Sequence, residues 1–303
     1  MNHPKTTLEQ WRTLQTVIDQ GGFAQAATQL HRSQSAISYS LAKLQQMLGV
    51  ELLEIRGRRA ELTATGQQLL LRARALLKDA GELEQLAQQI KQGWEIEIEL
   101  VFDAIFPSSL LLSALQSFAS EHPLTRIQLR EVVLSGAEDA LRKGEADLVI
   151  SPLVPSGYIG EKLLEVEFIA VAHPDHPLHH QGSISYQQLK NETQLVIRDS
   201  GLFQQRDFGW LGAKHRWTVS NIATSINAIR RGLGFGWLPA HAIDTELREG
   251  LLKALPLQQG QRRQALLYLI MVRGETAGPA TRLLAELLLR SVRSHDDGSE
   301  IQP

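Results

Sequence analysis

The 303-residue sequence contains no cysteine. Disulfide bonds, thiolate metal sites, cysteine nucleophiles and cysteine-based redox switches are therefore excluded. No segment approaches the roughly 18 to 20 consecutive apolar residues of a membrane-spanning helix. Residues 1–11 are too polar to contain the apolar core of a secretory signal. We therefore expect a protein of the cytoplasm that does not contact a membrane.

The sequence also has little net charge, −2, with 31 Lys and Arg against 33 Asp and Glu. A wholly basic nucleic-acid-binding protein is excluded, but a small basic domain on a larger acidic body is not, because phosphate responds to local charge. The sequence lacks the Gly-x-Ser-x-Gly, Walker and His-Glu-x-x-His motifs of hydrolases, nucleotide-binding proteins and zinc enzymes. We therefore predict no catalytic residue, no cofactor and no resident metal.

Apolar residues recur at helical spacing through the first 48 residues. Breaks at Gly21 and Gly22 and at residues 31–33 divide this stretch into three short helices, the second spanning residues 23–30 and the third residues 34–46. Two extended segments then flank residues 56–59, which predicts a β-hairpin. Three helices followed by a hairpin predict a winged helix-turn-helix in residues 1–66.

The third helix has an apolar side and a polar side. We expect Ile37, Leu41 and Leu44 to be buried, and the opposite side to read base edges or neutralise phosphate. The predicted DNA-contacting residues are Arg32, Ser33, Gln34, Ser35, Ser38, Tyr39, Lys43, Arg56, Arg58 and Arg59. Residues 1–66 carry seven Lys and Arg against five Asp and Glu, a net charge of only +2. The pattern alone therefore also allows a structural three-helix bundle with solvated polar faces.

This segment resembles the DNA-reading domain of the LysR-type transcriptional regulators. The resemblance covers residues 23–66 and is carried by Ala26 and Ala27, the run SQSAIS from Ser33 to Ser38, Leu44 with Leu48 and Gly49, and the hairpin end at Leu62, Thr63 and Gly66. Three positions depart from the family pattern: Gly22 replaces a capping serine, Gln45 a glutamate and Ile55 an arginine. The departure at Ile55 leaves the contacts of the wing open.

A coiled-coil repeat follows the hairpin, after the N-cap residue Thr63. Seven apolar residues are separated alternately by four and three positions, which places them on one seam of a helix of about 28 residues. They are Leu69, Ala73, Leu76, Ala80, Leu83, Ala87 and Ile90. An exposed apolar seam needs a partner. A second copy of the chain is the simplest partner, and packing on the chain's own C-terminal part is the alternative. The resemblance implies that two subunits pair antiparallel through residues 67–93.

Strands alternate with helices from residue 94 onward, which favours parallel sheets flanked by helices. The predicted strands span residues 96–102, 126–133, 147–150, 168–172, 194–197, 216–219 and 266–272, and the predicted helices span 108–120, 136–142, 185–189, 222–231, 239–246 and 279–293. The pattern resembles the two-lobed sensor of the same family, which is of the type 2 periplasmic-binding-protein-like class. Residues 94–293 would then form an α/β effector domain, with lobe one in 94–163 and 267–293 and lobe two in 164–266. The polar residues 294–303 predict a disordered tail. The predicted fold class is thus α+β multidomain.

A cleft between two lobes is a natural ligand site, and parallel sheets present their loops at the carboxyl ends of the strands. The predicted effector-binding residues follow these ends: Asp103, Phe106, Ser108, Ser109, Ser135, Ser151, Arg198, Asn221, Thr224 and Trp237. Taken singly, each is also an ordinary cap, turn or core residue. The ligand expected is a small polar or aromatic metabolite, and its charge stays open because Asp103 opposes an anion.

The histidines at 173, 176, 179 and 180 suggest a metal cluster, but a surface turn after a strand explains their spacing better. The resemblance implies a regulator, more often an activator, that binds double-stranded promoter DNA as a homodimer or homotetramer, responds to a small-molecule effector and acts through RNA polymerase. The rival hypothesis is a soluble enzyme on the two-lobed fold, in which the N-terminal helices serve only to oligomerise.

Overall fold

The computed structural model describes residues 3–56, 59–203, 205–206 and 209–299, with side chains at all of these except 55, 56, 59 and 296–299. The chain forms two compact units, Met1–Lys91 and Gln92–Pro303. This division places the end of the predicted long helix at the boundary between the units. Among the described residues, no helix is both long and apolar enough to cross a membrane.

The first unit contains the three predicted short helices, the hairpin and the long helix. Their bounds are α1 Leu8–Asp19, α2 Phe23–Gln29, α3 Gln34–Leu48, β1 Leu53–Arg56, β2 Arg59–Leu62 and α4 Ala64–Lys91. The core of the unit is formed by Leu14, Val17, Ile37, Leu44 and Leu70, all at most 2% exposed. Because these residues come from α1, α3 and α4, the start of the long helix is part of the fold of this unit.

The turns of this unit begin and end where the sequence predicts. Gly21 follows α1 with a φ of +77°, a left-handed conformation that favours glycine over other residues. Ala26 and Ala27 are buried where α2 crosses α3. Thr63 accepts a hydrogen bond through Oγ1 from the Gly66 amide at 2.9 Å, so it caps α4.

The second unit is built on one mixed sheet. Its strands are β3 Glu97–Asp103, β4 Arg126–Val132, β5 Leu148–Ser151, β6 Gly160–Ala172, β7 Thr193–Ile197, β8 His215–Val219, β9 Phe235–Pro239, β10 Lys253–Ala254 and β11 Arg262–Met271. Its helices are α5 Ser108–Glu121, α6 Gly136–Lys143, α7 Tyr186–Leu189, α8 Ile222–Arg230, α9 Asp244–Arg248 and α10 Pro279–Ser299. The strand order is β4-β3-β5-β11-β6-β9-β7-β8, with β10 paired to β6.

Two long antiparallel strands join the lobes. Lobe one contains the parallel strands β4, β3 and β5 with α5, α6 and α10, and lobe two contains β7 to β10 with α7, α8 and α9. Strands β6 and β11 cross between them, antiparallel to each other, and β11 is also antiparallel to β5. The expectation of wholly parallel sheets is therefore corrected, because each crossing strand runs through both lobes.

The register of the two crossing strands shifts between Leu267 and Tyr268, where Leu163 is the unpaired extra residue of β6. This irregularity coincides with the lobe boundaries predicted at 163/164 and 266/267. A bulge interrupts the ladder and bends the strands locally.

The structure differs from the predicted elements at several places. Strands β6 and β11 begin at Gly160 and Arg262, earlier than the predicted starts at 168 and 266. Strands β9 and β10 are not among the seven predicted strands, since β9 contains a glycine and a proline and β10 has two residues. The predicted helix over 239–246 is a 3-10 turn at Ala240–Ala242 followed by α9. Helix α10 continues to Ser299, so residues 294–299 of the expected disordered tail are helical, and 300–303 lie outside the described residues.

Candidate DNA interface and ligand cavity

The N-terminal end of α3 carries most of the residues predicted to contact DNA. Ser33 is the N-cap, and its Oγ accepts a hydrogen bond from the Ala36 amide at 3.2 Å. The predicted apolar side of α3 is buried, with Ile37, Leu41 and Leu44 at most 3% exposed. The predicted polar side is exposed at every position, namely Gln34, Ser35, Ser38, Tyr39 and Lys43. A helix with a polar, exposed N-terminal half is the element that a helix-turn-helix places in the major groove.

The flanking arginines have different surroundings. Arg32 is exposed, and its guanidinium lies 3.4 Å from Oε1 of Glu9, so part of its charge is balanced within the unit. Arg56 and Arg59 are the register pair nearest the turn of the hairpin. Arg58 lies outside the described residues. The predicted contacts of the wing therefore remain predictions.

Gln45 fixes the start of the hairpin through hydrogen bonds, and Gly66 lets the hairpin pack closely on α4. Oε1 of Gln45 accepts hydrogen bonds from the amides of Leu52 at 2.7 Å and Leu53 at 3.1 Å. At Gly66, a Cβ atom would lie 2.1 Å from the carbonyl oxygen of Leu52. The departure from the family pattern at Gln45 thus keeps an acceptor at the position that fixes the start of the wing.

The predicted dimerisation seam divides into two parts. Ala73 is 2% exposed and Leu69 is half-buried, because both pack into the core of the first unit, so Ala73 is not available to a partner. Further along α4, Leu76, Leu83 and Ile90 are 55%, 68% and 49% exposed. Ala80 is half-buried and Ala87 is exposed. The apolar seam that is open to a partner therefore begins at Leu76.

A cavity of about 130 Å³ lies between the two lobes, at the carboxyl ends of β3 and β4. Residues from lobe one, from lobe two and from the two crossing strands line it. They include Asp103, Leu134, Phe168, Gln194, Trp210 and Trp237. We call this space the inner cavity. Its place between lobes agrees with the cleft expected from the sequence.

Asp103 is the buried acid of the inner cavity and is 1% exposed. Its carboxylate accepts hydrogen bonds from the amides of Ile105 at 3.1 Å and Leu134 at 2.8 Å. Burial raises the pKa of Asp103 to about 6, against the lowering effect of these two hydrogen bonds. Asp103 is therefore a hydrogen-bond acceptor whose charge changes in the physiological range.

Aromatic side chains form the wall of the inner cavity in lobe two. The rings of Trp210 and Trp237 have centroids 5.9 Å apart, and Nε1 of Trp237 donates to the carbonyl oxygen of Gly260 at 2.9 Å. The guanidinium carbon of Arg263 lies 4.3 Å from the centroid of the Trp237 ring, and its Nη2 donates to the Tyr186 hydroxyl at 3.1 Å. This arrangement stacks a cation on an aromatic face.

A second, polar space adjoins the inner cavity and shares Leu134, Val196, Ile197 and Leu211 with it. This outer cavity has a volume of about 520 Å³, and its polar lining includes Arg198, Asp199, Arg206 and Arg216. Arg206 pairs with Glu138 across the lobes at 2.8 Å. The inner cavity is the smaller and more apolar of the two spaces, and the outer cavity is the larger and more polar one.

The lobes contact each other beside the outer cavity. Oγ of Ser135 donates to Oδ2 of Asp199 at 2.7 Å, and Oγ of Ser200 accepts from a backbone amide of lobe one at 2.8 Å. A Cβ atom at Gly136 would lie 2.1 Å from Oγ of Ser200. A Cβ atom at Gly201 would lie 2.0 Å from Oγ of Ser135. These glycines permit the close approach of the two lobes.

Three of the ten predicted effector-binding residues line these cavities. Asp103 and Trp237 line the inner cavity and Arg198 lines the outer cavity. Ser135, predicted to meet a ligand, bonds Asp199 of the opposite lobe instead. Phe106 is 2% exposed in the core of lobe one, so it is not an aromatic wall of the cavity.

The other five predicted residues have local roles or no contact with the cavities. Ser108 and Ser109 are exposed at the start of α5, outside the cavity lining. Oγ of Ser151 accepts from the Leu153 amide. Asn221 caps α8 by accepting from the amide of Thr224, and the Thr224 side chain is exposed. Strand and loop residues form most of the inner cavity lining, and Ile222, the first residue of α8, also belongs to it.

Sequence reasoning missed most residues of the inner cavity lining, among them Phe168, Gln194, Trp210 and Arg263. Gln194 had a weak signal, because it is a polar side chain inside an otherwise apolar strand and is 3% exposed. Trp210 lies in a loop, and the other two lie on the crossing strands. No local pattern indicates which side of a crossing strand faces the cleft.

The histidine segment forms a surface turn. His176 is 7% exposed; its Nδ1 accepts from the Leu178 amide, and its Nε2 lies 3.8 Å from Glu192. Burial lowers the pKa of His176. In the part of the chain that the structure describes, no three His, Asp or Glu side chains come together as a metal site.

Comparison with known families gives two matches that together span most of the chain. Residues 8–67 match the family described as "Bacterial regulatory helix-turn-helix protein, lysR family", and residues 91–293 match the family described as "LysR substrate binding domain". The first match ends in the first turn of α4 and the second begins at its last residue, where the boundary between the two structural units also falls.

Individual relatives agree with these matches. The uncharacterized HTH-type transcriptional regulator YeeY of Escherichia coli (strain K12) is 31% identical over 254 residues, which are 82% of each chain. The probable HTH-type transcriptional regulator YhaJ of the same organism is 30% identical, over 82% of this chain and 85% of its own. Among solved structures, CrgA, a LysR-type regulator from Neisseria meningitidis, aligns over 95% of this chain and 99% of its own with a TM-score of 0.53 and 21% identity. At that identity the likeness shows the fold alone.

A helix-turn-helix followed by a substrate-binding domain defines a DNA-binding transcription regulator. The chain belongs to the LysR family of these regulators. This family membership disfavours the rival hypothesis of a soluble enzyme.

Proposed function

We propose that this LysR-family regulator reads a promoter site in duplex DNA through α3, as a homodimer or a pair of dimers. A small molecule bound between the lobes then changes that binding. The observation that carries the proposal is the exposed polar face at the start of α3, over a fully buried apolar face. Glutamine and serine side chains there can read base edges, and Lys43 can neutralise phosphate.

The ligand site in this proposal is the inner cavity. A ligand there contacts both lobes and the two strands that join them. It therefore has a different affinity for different lobe arrangements, which is the requirement for a ligand to shift a conformational equilibrium. We propose that this shift alters the spacing of the two DNA readers in the dimer and the recruitment of RNA polymerase. The expected outcome in the cytoplasm is activation of a target promoter.

The proposed DNA reading can be tested because the base-contacting and phosphate-contacting residues of α3 should respond differently to substitution. In a mobility-shift assay with genomic promoter fragments and a salt titration, the double variant Gln34→Ala, Ser38→Ala should lower the ratio of specific to non-specific affinity at least ~10-fold, because base contacts carry the specificity. Lys43→Ala should weaken binding to all fragments and reduce the slope of log affinity against log salt by about 1.

Gln46→Ala is the matched control, because Gln46 is also exposed on α3 but lies at its C-terminal end. This variant should keep the selectivity of the unchanged protein. An equal loss of specific and non-specific binding in the double variant would contradict the assignment of base reading to this face of α3.

A further inference from the structure

We infer that the inner cavity holds a ligand of about one aromatic ring, which donates a hydrogen bond from an N–H or O–H group to Oε1 of Gln194. The inference rests on the proposed role of the cavity as the effector site and specifies the chemistry of the effector.

The size of the ligand follows from the volume of the cavity. The inner cavity has a volume of about 130 Å³. A protein cavity of roughly 150 Å³ holds one benzene molecule. The inner cavity therefore has room for one ring with a small substituent, and a second fused ring would have to extend into the polar outer cavity.

The shape of the ligand follows from the walls. Trp210, Trp237 and Phe168 line the cavity, and the planes of the two tryptophan rings are inclined at 58°. Aromatic walls bind flat apolar groups through stacked or edge-to-face contacts. Arg263 covers the face of Trp237, which adds a planar cation to the lining. A flat ring therefore suits this space better than a flexible chain of the same volume.

The polarity of the ligand follows from Gln194. Its Nε2 donates to the carbonyl oxygen of Trp210 at 2.7 Å, whereas its Oε1 is buried and has no hydrogen-bond partner among the described residues. Rotating the amide group by 180° would place two oxygens against each other, so the contact with Trp210 fixes Oε1 as the free atom. A buried acceptor without a donor costs free energy, and a donor on the ligand removes that cost.

The other polar groups of the lining point to the same chemistry. Asp103 is a second acceptor, and its carboxylate oxygens each have capacity beyond the one backbone amide that they bind. The ring N–H of Trp237 is engaged with the carbonyl oxygen of Gly260. Arg263 is the cation of the lining and already donates to Tyr186. The buried side-chain atom of this lining that lacks a partner is therefore an acceptor, Oε1 of Gln194, and phenolic hydroxyl groups and aromatic amines supply the donor that it needs.

Isothermal titration calorimetry of the full-length protein with single-ring probes tests this inference. Phenol and aniline each carry a donor, whereas toluene has nearly the same size and shape but no donor. We expect phenol and aniline to bind at least ~10-fold more tightly than toluene, because a site built for a donor discriminates against the analogue that lacks it. The two-ring probe 2-naphthol should bind more weakly than phenol, since it exceeds the cavity.

Gln194→Leu should reduce the affinity for phenol to that for toluene and leave the toluene affinity unchanged. The matched control is Gln261→Leu, because Nε2 of Gln261 also donates to a backbone carbonyl, that of Leu255, at 2.7 Å, but Gln261 is not among the residues that line the inner cavity. Gln194→Met serves as a second variant of nearly the same length if the leucine variant does not fold.

Equal affinities for phenol and toluene, or an unchanged preference in both Gln194 variants, would overturn the inference. Tight binding of 2-naphthol would overturn the size limit. The mobility-shift assay separates this inference from the proposed function. Sequence-selective DNA binding together with a failure of all single-ring probes would reject the ligand class alone, whereas a loss of selective DNA binding would reject the regulator itself.

Discussion

Asp103 holds the backbone at two places in lobe one and also lines the inner cavity. It ends β3, and its two oxygens hold the backbone at Ile105 and at Leu134, a residue with a left-handed φ of +50°. Burial disfavours its charge, and no cation is among the groups that shift its pKa. An acid in this position therefore costs stability when it is charged.

The raised pKa of Asp103 predicts a pH dependence of stability. The folded protein binds this proton more tightly than the unfolded chain, so the contribution of Asp103 is fully present below its unfolded pKa and is lost as the pH rises through about 6. A shift from 3.8 to about 6 corresponds to roughly 3 kcal/mol of the free energy of unfolding. Asp103→Asn should remove this pH-dependent loss.

Urea unfolding followed by tryptophan fluorescence between pH 4 and pH 7.5 measures the effect. As the pH rises, the free energy of unfolding of the Asp103→Asn variant should increase relative to that of the unchanged protein. Parallel pH profiles for the two proteins would contradict the assigned cause.

At the scale of the element, α4 joins the DNA reader to the dimer seam. Its first turn is capped by Thr63 and packed so closely on the hairpin that Gly66 has no room for a Cβ atom. Gly81, in the middle of the same helix, has nothing within 4 Å of that position. Gly66 is therefore required by close packing, whereas at Gly81 the absence of a side chain only increases the freedom of the backbone.

This contrast predicts effects of opposite sign on stability. Gly66→Ala should lower the free energy of unfolding by roughly 1–3 kcal/mol, because the added methyl group collides with the Leu52 carbonyl. Gly81→Ala should raise it by roughly 0.5–1 kcal/mol, since alanine loses less backbone entropy in a helix. Urea unfolding of both variants measures these changes. Destabilisation by Gly81→Ala similar to that by Gly66→Ala would show that Gly81 has an unrecognised packing role.

At the scale of the whole molecule, the exposed part of the α4 seam is the surface through which we expect two copies of the chain to pair. Leu76, Leu83 and Ile90 recur along one side of the helix and are each about half exposed or more. Burying a leucine side chain contributes roughly 1.5–3 kcal/mol, so several such contacts on each of two helices favour association. We therefore expect the chain to dimerise through residues 76–90.

Leu83→Glu tests this association, because a carboxylate in the seam would lose its hydration on pairing. The variant should shift from dimer toward monomer in sedimentation velocity and lose binding to a two-fold symmetric operator. Gln85→Glu adds the same charge to an exposed position of α4 outside the seam and should remain dimeric. A dimeric Leu83→Glu protein would contradict pairing through this seam.

The sequence by itself determined the elements whose signals are local. Apolar spacing, the cap at Thr63 and the glycine after α1 predict the helices and the hairpin of the first unit, and the density of matching residues in 23–66 identifies the family. The alternation of strands and helices predicts sheets flanked by helices, and the resemblance to the family implies the two lobes and the cleft between them. The helices, the hairpin and the alternation of elements depend on interactions within a few turns or within one strand.

Only the tertiary structure decided which residues line the cleft. Gln194, Trp210 and Arg263 come from three elements that meet through the crossing of β6 and β11, and the hydrogen bond that leaves Oε1 of Gln194 free joins a strand to a loop. The same holds for Ala73, which belongs to a regular seam in sequence but is buried in the core of the first unit. Periodicity assigns a residue to a face of its element, whereas the partner of that face is set by packing between distant segments.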